Sequence, residues 1–170
     1  GGFGSRGVEG KINVAKYCRD NNIPLLGLCL GMQIMTIEYG RELGLDATSE
    51  EFEIEGEEVI GLMPDQDGKK GGTMRLGAYE AELSDKVREV YSQEKVEERH
   101  RHRYEFKPEY YDRLQDGNFR ISGINPDSGL AEFVELEDHP FYIGTQAHPE
   151  FKSQVEKPAP LFYSFIEAAK

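Results

Sequence analysis

The stretch that decides the fold is Ile23–Gly31, with the sequence IPLLGLCLG. Its first six residues form a short apolar run, which is typical of a strand buried in a parallel sheet. Helices are predicted on either side, over residues 7–21 and 31–44, because apolar residues recur there at steps of three and four. A helix, a buried strand and a second helix in succession indicate an α/β protein.

The same stretch contains a candidate nucleophile. Cys29 stands between Gly27 and Gly31 in the spacing G-x-C-x-G, which is the pattern of a nucleophile elbow with cysteine as the reactive residue. Such a turn is tight enough to favour glycine on both flanks. The following helix would direct its backbone N–H groups at the sulfur and favour the thiolate. The alternative is a buried structural cysteine, which is common in core strands.

A cysteine nucleophile needs a base, and His148 is the best candidate of the four histidines. It lies in Gln146–Glu150 (QAHPE), directly after an apolar strand, where catalytic groups of α/β proteins gather. Glu150 follows two residues later and could orient the imidazole. His139 is instead predicted to be a turn residue. His100 and His102 are predicted to be packed strand residues, because the chain offers no second cluster that would complete a metal site beside them.

The remaining chain predicts further strands and short helices. Residues 46–72 are acidic and glycine-rich, so we predict a long surface connection that is mobile over residues 65–72. The later elements are strands at 73–83, 96–106, 119–124, 130–136 and 141–145, with helices at 84–91, 110–115 and 160–169. We therefore predict a mainly parallel sheet with helices on both sides and an antiparallel section near residues 73–145.

Composition narrows the functional classes. The chain has 170 residues, which is enough for one domain, and a net charge of −12 that disfavours binding to nucleic acid or to anionic membranes. No run approaches the ~18 apolar residues of a membrane span, and no signal peptide opens the chain. Two cysteines cannot build a disulfide framework, so we expect a cytoplasmic protein.

The glycine-rich start, Gly1–Gly4 (GGFG), could supply unshielded backbone N–H groups to an oxyanion. It does not match the GxxxxGK[ST] pattern of a phosphate-binding loop. Loops of this kind usually follow a strand, so we expect further sequence before Gly1 in the natural protein.

Several motifs together carry a family resemblance. GGFG at 1–4, GVEGKI at 7–12, GLCLGMQ at 27–33 and HPEF at 148–151 resemble the class I (triad) glutamine amidotransferases, whose fold is flavodoxin-like. Two further blocks, GGTMRLG at 71–77 and ERHRHRYE at 98–105, are similar to the glutaminase domains of the CTP synthase family. The resemblance runs through the whole chain, with the motifs in the family's order.

The resemblance implies roles for individual residues. Cys29 would be the nucleophile that forms a thioester, His148 its base and Glu150 the third member of a catalytic triad. A further set would hold the oxyanion and the substrate L-glutamine: Gly2, Leu30, Gly31, Met32, Gln33, Glu51 and Arg103. Arg103 could pair with the α-carboxylate of glutamine, and Glu51 could balance its ammonium group.

The resemblance also implies partners. Residues 1–170 would be a glutamine amidotransferase domain without its first strands. Its ammonia would pass to a separate synthetase (amidoligase) domain that uses ATP, Mg²⁺ and UTP. No cofactor or metal is expected in this chain itself, while a GTP effector and a homo-oligomeric full-length enzyme are expected. Two alternatives remain: a γ-glutamyl peptidase-like cysteine hydrolase of the same fold, and a non-catalytic regulatory or assembly module.

Overall fold

A computed structural model of the protein describes residues 1–62 and 74–170. The helices are α1 (Val8–Asp20), α2 (Leu30–Glu42), α3 (Asp85–Tyr91), α4 (Tyr111–Leu114) and α5 (Pro160–Ala168). The strands are β1 (Leu25–Leu28), β2 (Ala47–Ser49), β3 (Glu57–Leu62), β4 (Arg75–Leu83), β5 (Lys95–His102), β6 (Tyr104–Phe106), β7 (Phe119–Ile124), β8 (Ala131–Leu136) and β9 (Tyr142–Thr145).

The strands form two sheets. The larger has the order β1-β9-β8-β7-β4-β5, and the smaller has the order β2-β3-β6. Within the large sheet β1 pairs with β9 in parallel, while the other neighbours pair antiparallel. In the small sheet β2 and β3 are parallel and β3 and β6 antiparallel.

The α/β class and the antiparallel section are therefore confirmed, but the sheet is mixed rather than mainly parallel. The connections between β7 and β8 and between β8 and β9 are turns of a few residues. A parallel pair needs a crossover of a dozen or more residues, so these strands can only be antiparallel neighbours.

Helices cover both faces of the large sheet, as predicted. On one face, α1 and α2 share a hydrophobic cluster with Val134 and Tyr142. On the other, α3 and α5 share a second cluster with Phe133 and Ile143. Because successive strand residues point to opposite faces, β8 and β9 supply both clusters and are buried throughout.

Two expectations about local structure were wrong. The described part of residues 46–72 contains β2 and β3, whose Ala47, Val59 and Ile60 are fully buried. These strands are short and flanked by acidic residues, so they show no sustained period. Residues 65–72, predicted to be mobile, lie outside the described residues. The single strand predicted at 96–106 is divided at Arg103 into β5 and β6, which belong to different sheets.

The turn between β1 and α2 depends on one of its two glycines. A Cβ at Gly27 would lie 2.4 Å from the Met35 sulfur and 2.7 Å from the Gly31 carbonyl carbon. A Cβ at Gly31 would meet nothing within 4 Å. The structure thus requires glycine only at Gly27, where the strand and the helix approach each other closely, and not at both flanks.

We expect the two glycines to respond differently to alanine. Gly27→Ala should lower the free energy of unfolding by about 1–3 kcal/mol, as in an overpacked core. Gly31→Ala should leave it unchanged or raise it by up to ~1 kcal/mol, because alanine is the better helix former. Urea unfolding of both variants measures this, and equal destabilisation would contradict the packing argument.

Candidate active site

A cavity of about 590 Å³ opens beside the carboxyl ends of β1 and β9. It is lined by residues from six parts of the chain: Gly2, Phe3, Cys29, Gln33, Glu51, Met74, Arg101, His102, Arg103, Tyr104 and His148. Six of the ten residues singled out from the sequence are among them.

Cys29 occupies a sharp turn between β1 and α2. Its φ of 53° and ψ of −107° are unusual for a residue with a side chain, and such backbone strain is concentrated at functional sites. Its N–H donates to the Thr145 carbonyl oxygen at 2.8 Å, which fixes the turn against the end of β9. The side chain is almost fully buried, yet it contributes to the cavity wall.

The electrostatic surroundings of Cys29 differ from the expectation. Burial raises the pKa of the Cys29 thiol above its usual value, and the hydrogen bond from the Leu30 backbone N–H offsets this only in part. The nearby carboxylates of Glu150 and Glu51 also raise the pKa. The sulfur is therefore held mainly as a thiol at neutral pH, in contrast to the thiolate inferred from the helix alone.

His148 and Glu150 form a hydrogen-bonded pair. The His148 Nδ1 atom lies 2.6 Å from the Glu150 Oε1 atom, as the triad order suggested. The His148 backbone N–H donates to the Arg99 carbonyl oxygen at 2.7 Å, and its ring stacks on Phe151. Gly1 also packs closely, since a Cβ there would lie 2.9 Å from the imidazole Cε1 atom. The imidazole thus has a fixed orientation at the cavity wall.

Two glutamines link the elbow to the strand that leads to His148. Gln33 Nε2 donates to the Tyr104 carbonyl oxygen at 2.8 Å and to Gln146 Oε1 at 3.2 Å. Gln146 Nε2 in turn lies 3.8 Å from the Cys29 sulfur. Gln146 was not singled out from the sequence, although it stands in the QAHPE motif directly after β9. Its contact with the sulfur depends on the pairing of β1 with β9, which no local pattern reveals.

The glycine-rich start closes the cavity on another side. Gly4 N–H donates to Glu51 Oε1 at 2.9 Å, so Glu51 holds this loop as well as lining the cavity. Gly2 lies against Leu30, because a Cβ at Gly2 would be 3.3 Å from Leu30 Cδ2. Arg103 enters the cavity wall from the corner between β5 and β6.

Besides Glu150, which contacts His148, three candidates lie outside the cavity lining. Met32 is completely buried in the core between α2 and the sheet, which is incompatible with direct contact to a substrate. Gly31 lines a separate apolar groove between α1 and α2. The Leu30 side chain is buried, while its N–H is directed at the Cys29 sulfur.

The other histidines are buried in structural contacts. His139 Nε2 lies 3.1 Å from the Cys18 carbonyl oxygen, and its Nδ1 accepts from the Phe141 N–H. His100 and His102 face inward from β5, and His102 Nε2 is 2.7 Å from Glu105 Oε1. Over residues 1–62 and 74–170, no group of three or more histidine, cysteine or acidic residues could hold a metal ion. In the same ranges, no helix is long and apolar enough to cross a membrane.

Comparison with known proteins agrees with this geometry. The family model described as "Glutamine amidotransferase class-I" matches residues 1–168. The chain belongs to the class-I glutamine amidotransferase family. The amidotransferase is also similar in structure to the glutaminase domain of Trypanosoma brucei CTPS with bound acivicin. That similarity has a TM-score of 0.92 at 41% identity, covering 99% of this chain and 68% of the other.

Curated relatives of this amidotransferase include CTP synthases. The protein from Methanococcus maripaludis is 52% identical and that from Flavobacterium psychrophilum 53% identical, each over 99% of this chain. The chain spans about a third of the length of these relatives. A glutamine amidotransferase from Thermotoga maritima shares the fold, with a TM-score of 0.53 at 16% identity, covering 99% of this chain and 58% of the other.

The raised pKa of Cys29 predicts a pH dependence for its alkylation. Iodoacetamide reacts with thiolates, so the alkylation rate at Cys29 should be low at pH 7. The rate should keep rising with pH beyond the pH at which an ordinary thiol is fully ionised. Peptide mapping after timed exposure between pH 6 and 10 measures this rate. A rate already at its plateau at pH 7 would contradict the dominance of burial.

Proposed function

We propose that this amidotransferase hydrolyses L-glutamine to glutamate and ammonia through a thioester on Cys29. The observation that carries the proposal is the convergence of a strained cysteine turn and a hydrogen-bonded His148–Glu150 pair on one cavity. This combination supplies a nucleophile, a base and an orienting acid, which are the three parts of a cysteine triad.

The proposed reaction begins with proton transfer. Glu150 accepts a hydrogen bond from His148 Nδ1–H, which leaves Nε2 unprotonated and able to act as a base. As the Cys29 sulfur attacks the side-chain carbonyl carbon of glutamine, its proton moves to His148 Nε2. Because the resting thiol is protonated, attack and proton transfer are coupled, and the enzyme does not need a stored thiolate.

The oxyanion would be stabilised by backbone N–H groups. Those of Gly2 and Leu30 are the proposed donors, and the packing of Gly2 against Leu30 supports their proximity. When the tetrahedral intermediate collapses, the C–N bond breaks and ammonia leaves with the proton from His148. Water then gives a proton to His148, attacks the thioester and releases glutamate, and the proton returns to the Cys29 sulfur.

Two charged residues of the cavity lining would hold the amino-acid part of glutamine. We assign Arg103 to its α-carboxylate and Glu51 to its α-ammonium group. Glu51 retains an oxygen beyond the one that accepts from Gly4. Gln33 lies beside Cys29 and would orient the side-chain carboxamide. Gly31 and Met32 would act only by shaping the start of α2.

The similarity to CTP synthases supports a wider proposal for the natural protein. Residues 1–170 would belong to its glutaminase domain, and the ammonia would serve ATP-dependent amination of UTP to CTP. The synthetase domain, which would bind ATP and Mg²⁺, would be its partner, and GTP would be its effector. The full-length enzyme would be a homo-oligomer located in the cytoplasm.

Glutamate release tests the glutaminase proposal. The purified protein should release glutamate from free L-glutamine, and Cys29→Ser should abolish this release. Cys18→Ser is the matched control, because Cys18 is buried on α1 away from the cavity and should be dispensable. A glutamine-like α-amino chloroketone should likewise label Cys29 and spare Cys18. Label on Cys18 would remove Cys29 from its assigned role.

The same assay discriminates the alternatives. A γ-glutamyl peptidase would prefer γ-glutamyl peptides over free glutamine. A non-catalytic module would release glutamate from neither substrate, in spite of its intact triad.

Arg103 should act in binding more than in bond breaking. Arg103→Ala removes a charge-assisted contact of ~1.5–3 kcal/mol, so kcat/KM should fall by roughly one to two orders of magnitude, mostly through KM. Arg101→Ala is the control, because Arg101 is a second arginine of the same cavity lining, two residues earlier, in β5. An unchanged kcat/KM in Arg103→Ala would show that another residue binds the α-carboxylate of glutamine.

A further inference from the structure

A cluster of ionisable side chains is buried behind the cavity, and the reaction described above does not use it. Its members come from four strands: Arg75 of β4, His100 and His102 of β5, Glu105 of β6 and Glu132 of β8. We call these five residues the buried ion cluster. The side chains of Glu105 and Glu132 are 2% and 1% exposed.

Arg75 is the centre of the buried ion cluster. One guanidinium nitrogen lies 3.0 Å from Glu105 Oε1, and the other lies 2.8 Å from Glu132 Oε1. Glu105 Oε1 also contacts His102 Nε2, and the guanidinium stacks over the Tyr79 ring at 4.2 Å. The planar fork of one arginine thus connects two carboxylates that belong to different sheets.

Stability alone does not account for such an arrangement. Taking ions out of water costs several kcal/mol each, and apolar replacements of buried ion networks are often equally stable or more so. The cost here is visible in the titration of the members: burial lowers the pKa of His100 to about 2 and raises that of Glu132 to about 7. Among the described residues, the second oxygens of Glu105 and Glu132 have no hydrogen-bond partner, although Glu132 Oε2 lies 3.3 Å from His100 Nε2.

The buried ion cluster borders the segment that carries Arg103. His102 and Glu105 stand on either side of Arg103 and Tyr104 in the chain, and both are held on the inner side of the β5–β6 corner. His102 and Met74, the neighbour of Arg75, line the cavity themselves. His102 and Arg75 both contact the same oxygen, Glu105 Oε1. The backbone at Arg103 is therefore anchored by His102 before it and by Glu105 after it.

A second connection reaches the end of β9. The Glu132 carbonyl oxygen accepts from the Gln146 N–H at 2.9 Å and from Thr145 Oγ1 at 3.1 Å. The Arg99 carbonyl of β5 holds the His148 N–H. Strands β5 and β8, which carry members of the buried ion cluster, thus also hold the segment that ends at His148 by hydrogen bonds.

From this geometry we propose that Arg75 is a positioning residue for glutamine binding. By joining Glu105 to Glu132 it fixes the β5–β6 corner and sets the place of Arg103 relative to Cys29 and His148. The proposal rests on the proposed function, because it assigns Arg103 to the glutamine carboxylate.

The test uses conservative variants, because removing Arg75 outright would leave two buried carboxylates uncompensated. Arg75→Lys keeps the charge but loses the fork, and Glu105→Gln keeps the shape but loses a charge. Each should raise KM for glutamine roughly five- to tenfold and change kcat by less than about twofold. Folding is checked by circular dichroism and thermal unfolding.

Arg19→Lys is the matched control. Arg19 pairs with the buried Glu38 at 2.9 Å, and its side chain is 15% exposed against 16% for Arg75, but it lies between α1 and α2. This control should lower the melting temperature while leaving KM unchanged. An equal rise in KM in Arg19→Lys would show that general loosening is responsible, and the proposal would be wrong.

A double variant separates positioning from direct contact. If Arg75 acts through Arg103, then Arg75→Lys should add nothing to the KM of Arg103→Ala, whereas independent effects would multiply. Multiplying effects, or an unchanged KM in folded Arg75→Lys, would overturn the proposal while leaving glutamine hydrolysis intact. Failure of the unaltered protein to hydrolyse glutamine would overturn the proposed function, and this inference with it.

Discussion

The parallel pairing of β1 with β9 is the constraint on which the site depends. Its register places Leu28 beside Thr145, so the chain leaves both strands at the same edge of the sheet. One strand then enters the cysteine turn and the other enters the segment that ends at His148. The hydrogen bond from the Cys29 N–H to Thr145 fixes one strand end to the other. Cys29 and His148 are 119 residues apart in sequence, and this pairing brings them to the same edge of the sheet.

Close packing allows the turn to form, and burial sets its chemistry. Gly27 lets α2 begin directly against β1, and the nearly complete burial of Cys29 follows from that approach. Burial keeps the sulfur protonated, so the proposed reactivity of Cys29 depends on a base in a fixed orientation. Glu150, Phe151 and the Arg99 carbonyl supply that orientation for His148. The strained turn therefore positions the sulfur, and the contacts of His148 position the imidazole, at the same cavity.

Local patterns predicted the parts of the site that lie within short motifs. The cysteine turn, the helix after it and the His148–Glu150 pair each depend on residues a few positions apart, and the structure places them as expected. Residue contacts across distant strands were not predictable in this way. Gln146 at the sulfur and Arg75 between two sheets follow from strand pairing, which composition and periodicity do not encode.

In the fold, too, elements with a clear local pattern were predicted and elements that depend on distant contacts were not. Helices α1, α2 and α5 were predicted from their apolar spacing, α3 as a short charged helix, and strands β7, β8 and β9 from their apolar runs and intervening turns. The strands β2 and β3 were missed, because three to six residues among acidic neighbours give no period. The large sheet is less parallel than predicted, because the buried run before Cys29 resembles a strand with parallel neighbours on both sides, whereas β9 is its one partner among the described strands.

The proposed reaction passes through a covalent glutamyl intermediate on Cys29, formed with the help of His148. Rapid acid quenching of the protein with L-glutamine, followed by intact mass measurement and peptide mapping, tests it most directly. We expect a transient mass increase of one γ-glutamyl group, located on the peptide that contains Cys29 and absent in Cys29→Ser. Glutamate formation without any acylated protein, or with the acyl group on another residue, would contradict it.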